Sequence, residues 1–263
     1  REGSRWCHPT WLFAVVQSSF KFLSQDSGSA QIMSHFYGMI EQCPRFIQSL
    51  SQSIENDGIS FGRMADDSMP FQRPTSADAI SQGANVRHAS VLLVLVPQNG
   101  QWCLVLMKRP EYPGVHSGQI SIPGGEFEST DADARETALR EFDEEMGVAL
   151  KRGDVFAQLT ERFIPPSQFI VTPFLGFLPR MPKWNLDQEE VADVLIVPVA
   201  HLLPSGALKM TEISLSNGSS ISLPAYHHEG HIIWGATAIM LTEFVAAWKG
   251  TFSNPDAATS FSV

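Results

Sequence analysis

The stretch from Gly124 to Val148 constrains this chain more than any other. Gly124-Gly125-Glu126-Phe127-Glu128 makes a turn, Asp131 follows, and Arg140-Glu141-Phe142-Asp143-Glu144-Glu145-Met146-Gly147-Val148 ends the segment. Asp131 as N-cap and Gly147 as a left-handed stop predict a helix over about Ala132–Met146. At 100° per residue, Glu141, Glu144 and Glu145 fall within an arc of about 100°, with Leu139, Phe142 and Met146 on the other side. One face is acidic and the other is core. Three carboxylates at i, i+3 and i+4 repel one another by a few tenths of a kcal/mol per pair. A hard divalent cation, Mg²⁺ or Mn²⁺, relieves that repulsion, because it takes a few carboxylate oxygens and shares its remaining positions with water and phosphate. Asp143 points away from the arc and is excluded as a ligand. Arg140 lies on its flank, placed to fix a carboxylate, and Gly125 lets a backbone carbonyl come close to the metal. An arbitrary cluster of glutamates is more often a solvated helix face, so the case rests on the whole pattern.

A net charge of -10 argues against a broad basic surface for nucleic acid, and a polyanionic substrate would therefore need a metal. With 43% hydrophobic and 17% charged residues over 263 positions, the chain reads as one α/β domain with terminal additions. Cys7, Cys43 and Cys103 are odd in number and form no CxxC pair, which suits reduced thiols in the cytoplasm. The apolar run Trp11–Val16 is too short to span a bilayer. Met33 is the first methionine, so residues 1–32 are expected to be an upstream extension or non-native, with no chemistry of their own.

Residues 34–56 carry apolar positions at helical spacing, and Asp57–Gly83 reads as a connecting arm on the surface. The division expected is an extension over 1–59, a catalytic domain over 60–250 whose body begins near Asn85 after the arm, and a tail over 251–263. Ala89–Val96 and Trp102–Met107 read as strands joined by a turn at Pro97-Gln98-Asn99-Gly100. A loop rich in glycine and proline covers 110–125. Strands are expected at Val155–Leu159, Phe169–Leu178, Val191–Val197, Ile221–Ala225 and His231–Trp234, and a last helix at Ala236–Lys249 closing on Gly250.

Arg140 through Val148 matches the second half of the Nudix box, R-E-hydrophobic-x-E-E-x-G-hydrophobic, at every fixed position, so the chain resembles the Nudix hydrolases. The distance from Gly125 to Arg140 is one residue longer than usual, a feature of the coenzyme A diphosphatase branch. That branch is also matched by Leu106-Met107-Lys108-Arg109 through Gly118-Gln119-Ile120-Ser121-Ile122-Pro123-Gly124-Gly125, although Gly114, Pro110 and Ile122 stand where its pattern has other residues. Further likeness lies at Ile164-Pro165-Pro166-Ser167, Val171-Thr172-Pro173-Phe174-Leu175-Gly176 and His231-Ile232-Ile233-Trp234-Gly235-Ala236-Thr237-Ala238, so the resemblance covers roughly 60–250. It implies an α/β/α sandwich around a mixed β-sheet and hydrolysis of the diphosphate in coenzyme A or an acyl-CoA. The products would be 3′,5′-ADP and a 4′-phosphopantetheine compound. Glu141 and Glu145 would be direct metal ligands with Gly125, Glu144 a further ligand or the proton acceptor, and Arg140 their support. Lys108, Arg109, Gly124 and His116 are the candidate substrate contacts. Similar proteins are commonly homodimers.

His227, His228, Glu229 and His231 do not have the spacing of a His-Glu-x-x-His zinc helix. His231 is the member expected at a strand edge or in the substrate pocket, and Trp234 is expected in the core. Ser121 and Ser167 lack partners for a serine-nucleophile mechanism. Two other readings stay open: a Nudix hydrolase of another nucleoside diphosphate derivative such as ADP-ribose, and a binding module without turnover.

Overall fold

The computed structural model describes residues 27–70, 74–112, 116–214 and 218–261, with side chains from residue 45 onward. The run Trp11–Val16, Cys7 and Gly114 lie outside the described residues, as does the side chain of Cys43. Ile47–Val263 is one compact unit and Arg1–Phe46 another. No helix among the described residues is long and apolar enough to cross a membrane.

The larger unit is built on the hairpin that the Val/Leu-rich runs predict. Strand β1 (Arg87–Gln98) pairs antiparallel with β2 (Gln101–Lys108). The reversal is tighter than expected. Pro97 and Gln98 pair across to Trp102 and Gln101, and only Asn99 (φ 49°) and Gly100 (φ 73°) turn the chain, the two positive φ angles that suit strand twist. Around this hairpin the sheet grows by β3 (Ile120–Ser121), β4 (Gly124–Glu126), β5 (Val155–Gln158), β6 (Arg162–Ile164), β7 (Phe169–Phe177) and β8 (Asp193–Pro198). It is mixed: β7 runs parallel to β1 along nine residue pairs, while the other pairings are antiparallel. Three more strands, β9 (Lys209–Ser214), β10 (Ser220–His228) and β11 (His231–Ile233), form a separate small sheet. Strands β3, β4, β6 and β9 escaped sequence reading. Three of them have two or three residues and carry no period, and in β9 only Ile213 is buried while the apolar Met210 is exposed, so no apolar alternation marks it.

Helix α3 (Ala134–Met146) lays Ala138, Leu139, Phe142 and Met146 against Leu92, Val94, Val96, Cys103, Val105 and Met107, a dry layer on one face of the sheet. The pleat turns Leu93, Leu95, Leu104 and Leu106 to the other face, where they are equally buried. The helix begins at Asp133, whose carboxylate accepts from the backbone N–H groups of Arg135 and Glu136. Asp131, expected as N-cap, is displaced from that role because its side chain is engaged by Arg140 and Thr137. Gly147 ends the helix at φ 66° as expected.

The second helical layer corrects the reading of the N-terminal third. Helix α1 runs Ser27–Asp67 and α2 runs Ser76–Ser81, so Asp57–Gly83 is not a surface arm. Leu50, Ile54, Phe61 and Ala65 are buried, and Ser51 donates to the Phe156 carbonyl at 2.7 Å. The polar and glycine content of 57–67 reads as loop, but packing of one stripe outweighs weak propensity. After the short α4 (Val199–Leu202), helix α5 runs Gly235–Thr251 and therefore does not stop at Gly250. Gly250 lies inside the helix, and a Cβ there would sit 2.8 Å from the Phe61 ring, so glycine permits close contact with α1. Gly250→Val should cost about 1–3 kcal/mol through overpacking. Thermal unfolding should show a lowered Tm, and Phe61→Leu in the same chain should recover part of the loss.

Candidate metal and diphosphate site

The glycine pair ahead of α3 is held by the sheet. Strand β4 pairs with β1, so that Gly124 lies opposite Val91 and Gly125 opposite Ser90. Gly124 has φ 148°, and a side chain on it would stand 2.2 Å from the Ser90 carbonyl oxygen. Its N–H is thereby aimed at α3, donating to Glu145 Oε2 at 2.7 Å. A Cβ on Gly125 would fall 2.3 Å from Glu141 Oε2. Glycine at 125 is therefore what lets the strand pass directly beneath the carboxylate.

Arg140 fixes the surroundings. Its Nε and Nη2 grip both oxygens of Asp131 at 2.9 and 3.0 Å, Nη2 also donates to the Glu126 carbonyl at 3.0 Å, and Nη1 reaches Glu141 and Glu144 at 2.8 Å each. Asp131, gripped by this guanidinium, has its pKa lowered to about 2. One arginine thus joins the loop after β4 to the acidic side of the helix.

A third carboxylate arrives from a distant loop. Asn185 and Asp187 donate their N–H groups to the carbonyls of Met146 and Glu145, Val191 is fully buried, and Ala192 donates to the Lys108 carbonyl. Glu190 is suspended between these anchors. Oxygen atoms of Glu141, Glu145 and Glu190 lie within 4.8 Å of one another. Glu145 is 1% exposed, and burial raises its carboxyl to about 8 against the pull of the Gly124 N–H and the Arg109 charge. Burial raises Glu141 as well, opposed by Arg140. An all-oxygen set containing a buried carboxylate with two acidic neighbours fits a hard dication such as Mg²⁺ or Mn²⁺.

The expected residues separate into two groups. Glu141, Glu145, Gly124, Gly125, Lys108, Arg109 and His116 all line one cleft of about 1660 Å³. Lys108 ends β2, Arg109 lies close enough to Glu145 to act on its charge, and His116 Nδ1 is 3.2 Å from Gln119 Oε1. Glu144 and Arg140 stand outside that lining; Glu144 has an exposed side chain tied to Arg140. His231 and Trp234 also line the cleft, so Trp234 is a wall residue and not core. Its neighbours split away, His228 pairing with His201 and His227 with Thr211. Glu190 was missed. The run Asp187-Gln188-Glu189-Glu190 is a visible acidic signal, but only the two loop anchors select which of its members meets Glu145.

Gly125→Ala should leave the fold intact and lower hydrolytic turnover about a hundredfold, the scale expected when a reacting group is displaced by about 1 Å. Steady-state kinetics beside a melting curve measure both.

The NUDIX domain family matches residues 86–214. The human mitochondrial coenzyme A diphosphatase NUDT8 is 31% identical over 173 residues, spanning 65% of this chain and 68% of that protein. NudL of Salmonella paratyphi B, an uncharacterized Nudix hydrolase, is 34% identical over 166 residues, spanning 60% of this chain and 81% of its own. A crystal structure of a MutT/nudix family protein from Enterococcus faecalis covers 66% of this chain and 68% of its own at 16% identity, with a TM-score of 0.47. With the coenzyme A diphosphatase relative 31% identical and matched over 68% of its length, and with Gly125, Glu141 and Glu145 of the box at one cleft, the chain belongs to the Nudix hydrolase family.

Proposed function

We propose that this Nudix hydrolase cleaves the diphosphate linkage of coenzyme A or an acyl-CoA, releasing 3′,5′-ADP and the corresponding 4′-phosphopantetheine. The observation that carries the reading is the carboxylate trio of Glu141, Glu145 and Glu190 in the same cleft as Lys108 and Arg109. The likeness to a coenzyme A diphosphatase supports the choice of substrate. Glu141, Glu145 and Glu190, with the Gly125 carbonyl, would hold Mg²⁺ or Mn²⁺. Bound there, the ion supplies positive charge against the phosphate oxygens and lowers the pKa of water.

The rest follows from the chain's own groups. Lys108 and Arg109 draw the diphosphate to the end of β2, with Gly124 and His116 as further contacts. Water oxygen forms a bond to one phosphorus while the bridging phosphorus–oxygen bond breaks, so each phosphate leaves as a monoester. Arg140 keeps Glu141 oriented. The proton that water loses goes to bulk solvent; Glu144, on the same guanidinium nitrogen and outside the cleft lining, is assigned as the group that relays it there. We place the enzyme in the cytoplasm on its cysteine usage, as a homodimer by likeness to similar proteins.

The deciding experiment is chromatography of products after incubation with coenzyme A and Mg²⁺, beside an ADP-ribose control. Release of 3′,5′-ADP is expected, and Glu145→Gln should lose at least about a hundredfold in turnover. Cleavage of ADP-ribose alone would overturn the substrate, and binding without turnover of either would overturn the enzymatic reading.

Metal binding should depend on pH with a definite sign. The Glu145 carboxyl, raised to about 8, holds a proton at neutral pH that a cation must displace. Mn²⁺ affinity, followed by electron paramagnetic resonance, should therefore tighten by up to about tenfold per unit from pH 6 to 8 and level off above it. In the metal-free protein a raised carboxyl pKa has the opposite consequence: its contribution to stability is largest below 4.5 and falls as pH rises towards 8.

A further inference from the structure

Two walls of the cleft share a buried polar brace with α1. Arg162 of β6 is 8% exposed and Glu243 of α5 is 1% exposed. Arg162 Nη2 donates to Glu243 Oε2 at 2.7 Å and to the Gly62 carbonyl at 3.2 Å, while Nη1 pairs with Asp66. The other Glu243 oxygen accepts from the backbone N–H and hydroxyl of Thr160 at 2.7 and 2.6 Å. The carboxylate of Glu243 is thus filled, and the guanidinium is spread over two helices.

What the brace holds is telling. Strand β6 has three residues and is hydrogen-bonded to β7 alone, with Arg162 opposite Val171 and Ile164 opposite Phe169. So short an edge strand is weakly held by its own ladder. Yet the segment from Ile164 to Ser167, with Phe169 and Val171, forms one wall of the cleft. Glu243 lies one turn beyond Met240, and Met240 with Trp234–Thr237 forms another wall. Asp66 and Gly62 lie on α1, before the span 86–214 matched by the family. None of the brace residues belongs to the carboxylate trio.

We infer that Arg162 is a positioning residue: through Glu243 and α1 it fixes the two walls that receive the part of the substrate remote from the metal, so that residues 47–67 set substrate affinity without entering the chemistry. A buried ion pair with both Glu243 oxygens satisfied favours one arrangement over its neighbours, although Arg162 Nε has no partner among the described residues, and a helix that supplies the outer partner can bias it. The kinetic readout rests on the coenzyme A reading above; the exchange readout does not.

The test uses the full chain and two variants, Glu243→Gln and Asp66→Asn, the second at the exposed end of the brace should the first fail to fold. Hydrogen exchange should quicken in 162–171 and 235–240 while β1 and α3 keep their protection, and Mn²⁺ affinity should be unchanged. For coenzyme A, KM should rise about threefold to thirtyfold, the range expected when a packed network is loosened, with kcat within about twofold of wild type. Arg162→Lys, which keeps the charge and loses the fork, should fall between wild type and Glu243→Gln. Exchange that quickens evenly over the whole domain, or nowhere, would overturn the inference, as would a fall in kcat and Mn²⁺ affinity at constant KM. If the wild type does not cleave coenzyme A, the substrate reading fails, while the exchange pattern still decides the brace.

Discussion

The structure turns on one guanidinium. Arg140 holds the loop after β4, the start of the acidic helix turn and two of its carboxylates at the same time. Without that cation, Asp131, Glu141 and Glu144 would repel one another, and only the β1–β4 ladder and the Gly124 N–H bond to Glu145 would keep the Gly125 strand under Glu141. The bond to the Glu126 carbonyl matters as much as the ion pairs, since it joins backbone to helix and sets the spacing between them. Because the helix is itself clamped by Phe142 and Met146 on the sheet, the acidic side has little freedom to relax. A rigid, crowded carboxylate set is what a dication needs and what an isolated helix would avoid.

The cleft gains its breadth from elements that supply no member of the trio. The β6–β7 turn, the β9–β10 hairpin and the first turn of α5 each contribute a wall. The β6 wall rests on a three-residue ladder and the polar brace, whereas α5 is also seated by Ile239, Leu241, Phe244 and Trp248. The short β6 ladder is the least secured of these walls, and outer walls are where substrates of one reaction class differ from one another.

Several features were legible because they are local. The β1–β2 hairpin, the α3 stop at Gly147 and the separation of acidic from apolar side chains follow from periods of two and of 3.6 residues and from turn chemistry. The box residues identified the family for the same reason, since their spacing is itself the geometry of one loop and one helix. Other features read wrongly where local and tertiary preferences disagree. Asp131 has the composition of a cap but is taken by Arg140; residues 57–67 look like a loop but bury Phe61 and Ala65; Gly250 looks like a stop but makes room for a ring.

The sequence by itself determined that a glycine turn would lead into a helix with carboxylates on one side, since both ends and both faces of that helix are encoded within about twenty-five residues. Tertiary structure alone decided which carboxylates meet. Glu190 joins Glu141 and Glu145 from forty-five residues beyond Glu145 because the loop carrying it is bonded to the end of α3 and to the end of β2, whereas Glu144, adjacent in sequence, is turned to solvent by the helix rotation. Long-range contacts of this kind depend on the docking of whole elements, and no period along the chain records where one element will stop against another.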